Sequence, residues 1–144
     1  MNIGVERAAP RVSKRATRSR LRQDGLDEAL TMLDQALVRI EHTGEMMNHA
    51  EILRLKGEVL LMRDDAATAA AEHCFRAALE VARQQESRWW ELRTTVSLAQ
   101  LLRDTNRRDE ARIILREIYN WFTEGFDTAD LKEAKALLDE LATE

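Results

Sequence analysis

Ala71–Ala82 reads AEHCFRAALEVA and Ala111–Phe122 reads ARIILREIYNWF. Ala71, Phe75 and Ala78 are spaced four and then three residues apart, and so are Ala111, Leu115 and Ile118. That spacing brings three side chains onto one face of an α-helix. Small residues stand where two helices would touch, and larger ones fill the gap beside them. A second stripe precedes each stretch: Leu53, Gly57 and Leu60 before the first, Thr95, Ala99 and Leu102 before the second. The span from Ala50 to Phe122 therefore holds two copies of one helix–turn–helix unit.

Working outward towards the N-terminus, Leu26, Ala29, Leu30, Leu33, Ala36, Leu37 and Ile40 recur at steps of three and four, which predicts a helix over 26–43. Asp24-Gly25 reads as the turn before it, and Thr43-Gly44 as its end, with Gly44 suited to a left-handed position. Ala29, Leu33 and Ala36 repeat the four-then-three spacing, so this reads as the second helix of an earlier unit. Its first helix would fall at 10–22, where the sequence is basic and lacks an apolar stripe. The first unit is thus expected to be incomplete, leaving apolar surface open to a partner chain or to homo-oligomerisation. Ala29 to Ala71 is 42 residues and Ala71 to Ala111 is 40. The closest repeat type is the tetratricopeptide (TPR) helical hairpin, whose minimal period is about 34, with helices here longer by about a turn each.

The remaining helices are expected at 45–62, 66–85, 88–103, 107–123 and 128–142. Met46, Ala50, Leu53, Gly57, Leu60 and Leu61 would make the inward face of the first. Gly57 costs roughly 1 kcal/mol in a helix interior relative to alanine, which a close approach of another backbone would explain. Ala67, Ala70, Ala71, Cys74, Phe75 and Ala78 would face inward on the next. Asp64-Asp65 and Asp127 read as N-caps, and Phe126 with Leu131 as a hydrophobic staple. Leu131, Ala134, Leu138 and Leu141 give the last helix the single apolar stripe of a closing cap.

Composition supports helix over strand: Leu, Ala, Glu and Arg are abundant, and the 144 residues include one Pro and five Gly. The lone Cys74 excludes an internal disulfide and reads as a buried thiol. No run has the ~18 apolar residues of a membrane span, and the first residues lack a signal-peptide core, so a cytoplasmic protein with no membrane contact is expected. The net charge of −4 hides an asymmetry. Residues 1–22 hold seven Arg and Lys against Glu6, a net of +6, which leaves −10 for the rest. The expected organisation is a basic, disordered or poorly ordered arm over 1–22 and a helical-repeat domain over 23–144. The arm has no aromatic residue for stacking on bases, so nucleic acid is the less favoured partner.

The sequence gives enzymes little to work with. His42 and His49 flank the Gly44 break, and adjacent His73 and Cys74 diverge around a helix, so neither pair has zinc-site spacing and no metal or other cofactor is expected. Glycine-rich phosphate loops, nucleophile elbows and HExxH patterns are missing. The carboxylates fall on polar faces among arginines, without the pocket that acid–base chemistry needs. Trp89, Trp90, Tyr119 and Trp121 combine with arginines in the manner of binding hot spots. Core packing is expected for three of them, and adjacent Trp89 and Trp90 cannot both face the same way.

Ala50–Leu61 (AEILRLKGEVLL), Ala71–Ala82, Trp90–Arg103 (WELRTTVSLAQLLR) and above all Tyr119–Leu141 (YNWFTEGFDTADLKEAKALLDEL) resemble the C-terminal TPR region of bacterial multidomain adenylate/guanylate cyclase–AAA ATPase signalling proteins. The resemblance spans about Gly25–Glu144. The cyclase and ATPase motifs have no counterpart, so it carries over no catalytic residue and implies a detached regulatory tail. The expectation is then an all-α, TPR-like solenoid with a C-terminal capping helix. It would be a non-enzymatic scaffold for another protein or peptide, with a groove built from 45–62 and 88–103. Arg54, Glu58, Trp89, Arg93, Ser97 and Gln100 are the candidate partner-binding residues. The alternatives are a small-molecule sensor using the same groove, or nucleic-acid binding through the arm.

Overall fold

The computed structural model describes residues 14–43 and 48–143, and every regular element in them is an α-helix. In chain order these are α1 (Lys14–Thr43), α2 (His49–Arg63), α3 (Thr68–Gln84), α4 (Arg88–Asp104), α5 (Arg108–Tyr119) and α6 (Ala129–Ala142). Each helix packs on the next. In addition α2 touches α4, and α4 touches α6. Among the described residues the backbones of α1, α3 and α5 do not approach one another. The helices therefore form a stack of α2, α4 and α6, flanked by α1, α3 and α5, a repeat-like arrangement in which contacts reach no further than the next-but-one helix.

The stripes read from the sequence make the core. Ala71, Phe75, Leu92, Leu98, Ala99, Leu102, Ala111, Leu115, Leu131 and Ala134 are sealed from solvent. The two stretches quoted above thus face the same interior. Leu137 completes the inward face of α6, and Leu138 packs beside it partly covered. Ala70, expected inside, is exposed.

Five expectations are corrected. The Asp24-Gly25 turn does not form: α1 is one unbroken helix of 30 residues that begins at Lys14, so the last part of the expected arm is helical. Gly25 meets no atom within 4 Å of where a Cβ would stand, so it interrupts nothing in packing and costs only its helix propensity. The residue close to Gly57 is not another backbone but the ring of Phe75 on α3. The Asp64 carboxylate accepts from the Ala66 backbone N–H in the turn, while Ala67 occupies the N-cap of α3 without a side-chain bond. Thr128, not Asp127, caps α6 by accepting from the Leu131 N–H at 3.4 Å. Phe126 is 44% exposed with its ring against Tyr119, and with Thr128 as the N-cap Phe126 and Leu131 no longer occupy the staple positions. Residues 1–13, Gly44 and Met46 lie outside the described residues.

The expected start of α2 at 45 moves to His49, preceded by Asn48 in the left-handed region (φ 71°). Among the described residues no helix is long and apolar enough to cross a membrane.

Candidate binding face

The stack of α2, α4 and α6 carries a polar network along one side. Arg54 and Glu58 lie one turn apart on α2, and Ser97 projects from the facing part of α4. The Arg54 guanidinium donates to Ser97 Oγ at 3.2 Å and to Glu58 at 3.2 Å. The Ser97 hydroxyl in turn donates to Glu58 at 3.0 Å. Three of the sequence-predicted residues therefore close a ring between two helices.

Two acids that the sequence did not single out extend the ring. Glu51, a turn before Arg54, takes two hydrogen bonds from its guanidinium at 2.9 and 2.7 Å. Asp130 on α6 accepts from Arg93 on α4 at 3.1 Å, and Arg93 also approaches Glu51 at 3.5 Å. The network thus runs from Glu58 through Arg54 and Glu51 to Arg93 and Asp130, and it ties three helices together. Three carboxylates face two guanidiniums, a net charge of −1 for the five groups. Hydrogen bonding to Glu51 raises the pKa of Arg54 above its ordinary value, against an opposing effect of burial. Arg54 is the anchor of this network, with only 14% of its side chain exposed; Arg93, at 35%, is the cation that solvent reaches.

The aromatic pair resolves in favour of Trp90. Its ring centre lies 5.2 Å from the Arg93 guanidinium, a cation–π contact. Trp90 also packs on Ala50, Val81 and Ala82. Trp89 points elsewhere, edge-on to Phe122 at 5.5 Å, because neighbours on a helix diverge by about 100°. It does not join the network. Gln100, one turn beyond Ser97 along α4, is half-buried. The expectation that three of the four aromatics would be core is also corrected. Trp121 is 55% exposed, Trp89 is 36% exposed, and Trp90 and Tyr119 are partly covered.

A second polar feature stands where α3 ends and α4 begins. Glu91 is buried and receives Arg83 at 3.3 Å and Arg88 at 3.1 Å. The Arg88 guanidinium also sits 5.3 Å from the Trp121 ring centre. A cleft of about 220 Å³ opens beside these groups. Both arginines are already engaged by Glu91, so the arrangement reads as a clamp on the helix junction.

Cys74 is buried in α3, and burial pushes its thiol up from the ordinary range, away from nucleophilic use. Among the described residues no three His, Cys, Asp or Glu side chains are grouped so as to hold a metal ion.

No protein-family model, curated protein or solved structure matches the chain.

Proposed function

We propose that the chain is a non-enzymatic, TPR-like interaction module that holds a protein or peptide partner against the α2–α4–α6 side. In this reading α2–α3 and α4–α5 are two hairpins, α1 is the second helix of an incomplete one, and α6 is the closing cap. The observation that carries it is the Arg54–Glu58–Ser97 ring with Arg93 and Asp130 beside it. A repeat face intended only for stability would be served as well by apolar side chains, since buried ion pairs often add little net stability. Here charged and hydrogen-bonding groups from three successive stacked helices are held at fixed positions, with Arg93 on Trp90 as the partly exposed cation. The resemblance to the tails of cyclase-type signalling proteins suggests a regulatory role for such a partner.

The test uses the full chain as bait in lysate with and without nuclease, compared with an Arg93→Gln/Gln100→Arg variant of matched melting temperature. A protein captured by the wild type and lost with the variant supports the assignment. Equal capture by both places the binding surface elsewhere. Capture abolished by nuclease moves the function to the basic arm.

A further inference from the structure

The α1–α2 edge carries a second surface, distinct from the proposed binding face. An apolar cleft of about 260 Å³ runs between the two helices, lined by Ala29, Met32 and Leu33 of α1 and Leu55 and Val59 of α2. Met32 is 63% exposed and Leu55 37% exposed. Of the seven-residue apolar stripe on α1, only Leu30 is buried.

The packing order says what shape fits there. α2 lies against both α3 and α4, and α4 lies against both α5 and α6. The corresponding place against α1 and α2 is this cleft, and no described helix covers it. Its natural occupant is an amphipathic helix.

Charge identifies the helix that fits there. α1 is electrically divided: Lys14–Arg22 holds five basic residues and no acid, while Asp24–Glu41 holds five acids against Arg39. Both halves oppose the helix macrodipole, which favours acids at the N-terminal end and bases at the C-terminal end. Moreover α2 does not cover the basic half. Gln23 hydrogen-bonds the carbonyl of Arg63, the last residue of α2. Asp27 and Asp34 pair with Arg63 and Lys56, fixing α1 and α2 antiparallel. Lys14–Arg22 therefore runs past the end of α2 by roughly 13 Å.

We propose that this surface is a homodimer interface, in which α1 of a second copy packs antiparallel on α1 across a two-fold axis and enters the α1–α2 cleft. An antiparallel pair sets each basic half beside the partner's acidic half, satisfies both ends of the dipole and buries both stripes. Such a contact is self-complementary, as a two-fold interface must be.

Sedimentation of the full chain tests it. The wild type forms dimers whose dissociation constant rises with salt. Met32→Glu weakens them by about tenfold or more and leaves the helical circular dichroism unchanged, since Met32 is largely exposed in the single chain. Arg18→Glu/Arg20→Glu/Arg22→Glu and Asp24→Lys/Glu28→Lys/Glu41→Lys are each monomeric alone, and an equimolar mixture of the two dimerises again. A wild type that stays monomeric at ~100 μM overturns the proposal, even if that surface captures a different protein. So does a Met32→Glu variant that dimerises normally, or a mixture that remains monomeric. These variants do not touch Arg93 or Gln100, so failure here is distinguishable from failure of the proposed partner face.

Discussion

Phe75 fills the space that a side chain at Gly57 would need. A Cβ placed on Gly57 would stand 2.5 Å from Phe75 Cε1 and 2.8 Å from Cδ1. Phe75 itself has no exposed surface, so its ring has nowhere to move. The pairing joins the middle of α2 to the middle of α3.

Gly57→Ala therefore destabilises the protein although it improves helix propensity. The gain is about 1 kcal/mol, and overpacking a tight core costs about 1–3 kcal/mol. The expected net loss is up to ~2 kcal/mol, read from urea midpoints. Phe75→Leu should lessen the harm done by Gly57→Ala when the two are combined. Additive effects in that double-mutant cycle would show that the ring is not the obstacle.

Ser97→Ala removes the hydroxyl that links Arg54 to Glu58. A buried hydrogen bond to charged groups contributes about 1.5–3 kcal/mol. Arg54 keeps Glu51 and Glu58 as partners, so a loss near the lower end is expected. Coupling between Ser97→Ala and Glu58→Gln, measured by chemical denaturation, checks it; independent effects would mean the ring contributes nothing as a unit.

Acid should loosen the contact between α3 and α5. Glu72 and Glu110 form a closed set of ion pairs with Arg76 and Arg107, at 2.8–2.9 Å. Burial pushes the Glu72 carboxyl up, but hydrogen bonds from Arg76 and Arg107 outweigh it and hold it below its ordinary value. Arg76 lowers Glu110 in the same way, against a smaller effect of burial and with help from Arg107. A carboxyl depressed in the folded state stabilises above its unfolded pKa and loses that contribution as pH falls through the folded one. The melting temperature should fall as pH drops from about 5 towards 3, within the carboxylate range. Glu72→Gln/Glu110→Gln should flatten that slope. The groups are substantially exposed, so the effect is modest and shrinks in high salt. An unchanged slope in the double variant would assign the acid sensitivity to other carboxylates.

Thr128→Ala should cost α6 about 1 kcal/mol, the usual value of an N-cap side chain. Asp127→Ala should stay within a few tenths of a kcal/mol, as for a surface change away from any cap. Thermal melts of the two variants distinguish them, and the reverse ranking would restore Asp127 as the cap.

Periodic apolar stripes made the helices and their shared core legible before any coordinates. Ala71, Phe75 and Ala78 read as an inward face, and that is where they lie. Local breaker signals fared worse. Asp24-Gly25 has turn chemistry, but good helix formers flank it and Gly25 has no packing to disturb, so the helix runs through. On the α2–α4–α6 side, Arg54, Glu58, Arg93 and Ser97 were legible because they fall on the two expected groove helices. Glu51 and Asp130 were not. Asp130 stands 37 residues from its partner Arg93, and only the stacking of α6 on α4 brings the two together. The choice between Trp89 and Trp90 was equally invisible, because it depends on the rotational phase of α4 against α2.

The end-to-end packing also sets an order of undoing. α4 packs on α2, α3, α5 and α6, whereas among the described residues α1 packs only on α2. Amide protons of α4 should exchange with solvent only when the whole chain opens, while those of α1 exchange through detachment of that one helix. If the antiparallel pairing forms, protection along α1 becomes a function of protein concentration even where exchange needs only that one helix to detach. Folding of the N-terminal edge and assembly of two copies would then be a single thermodynamic event.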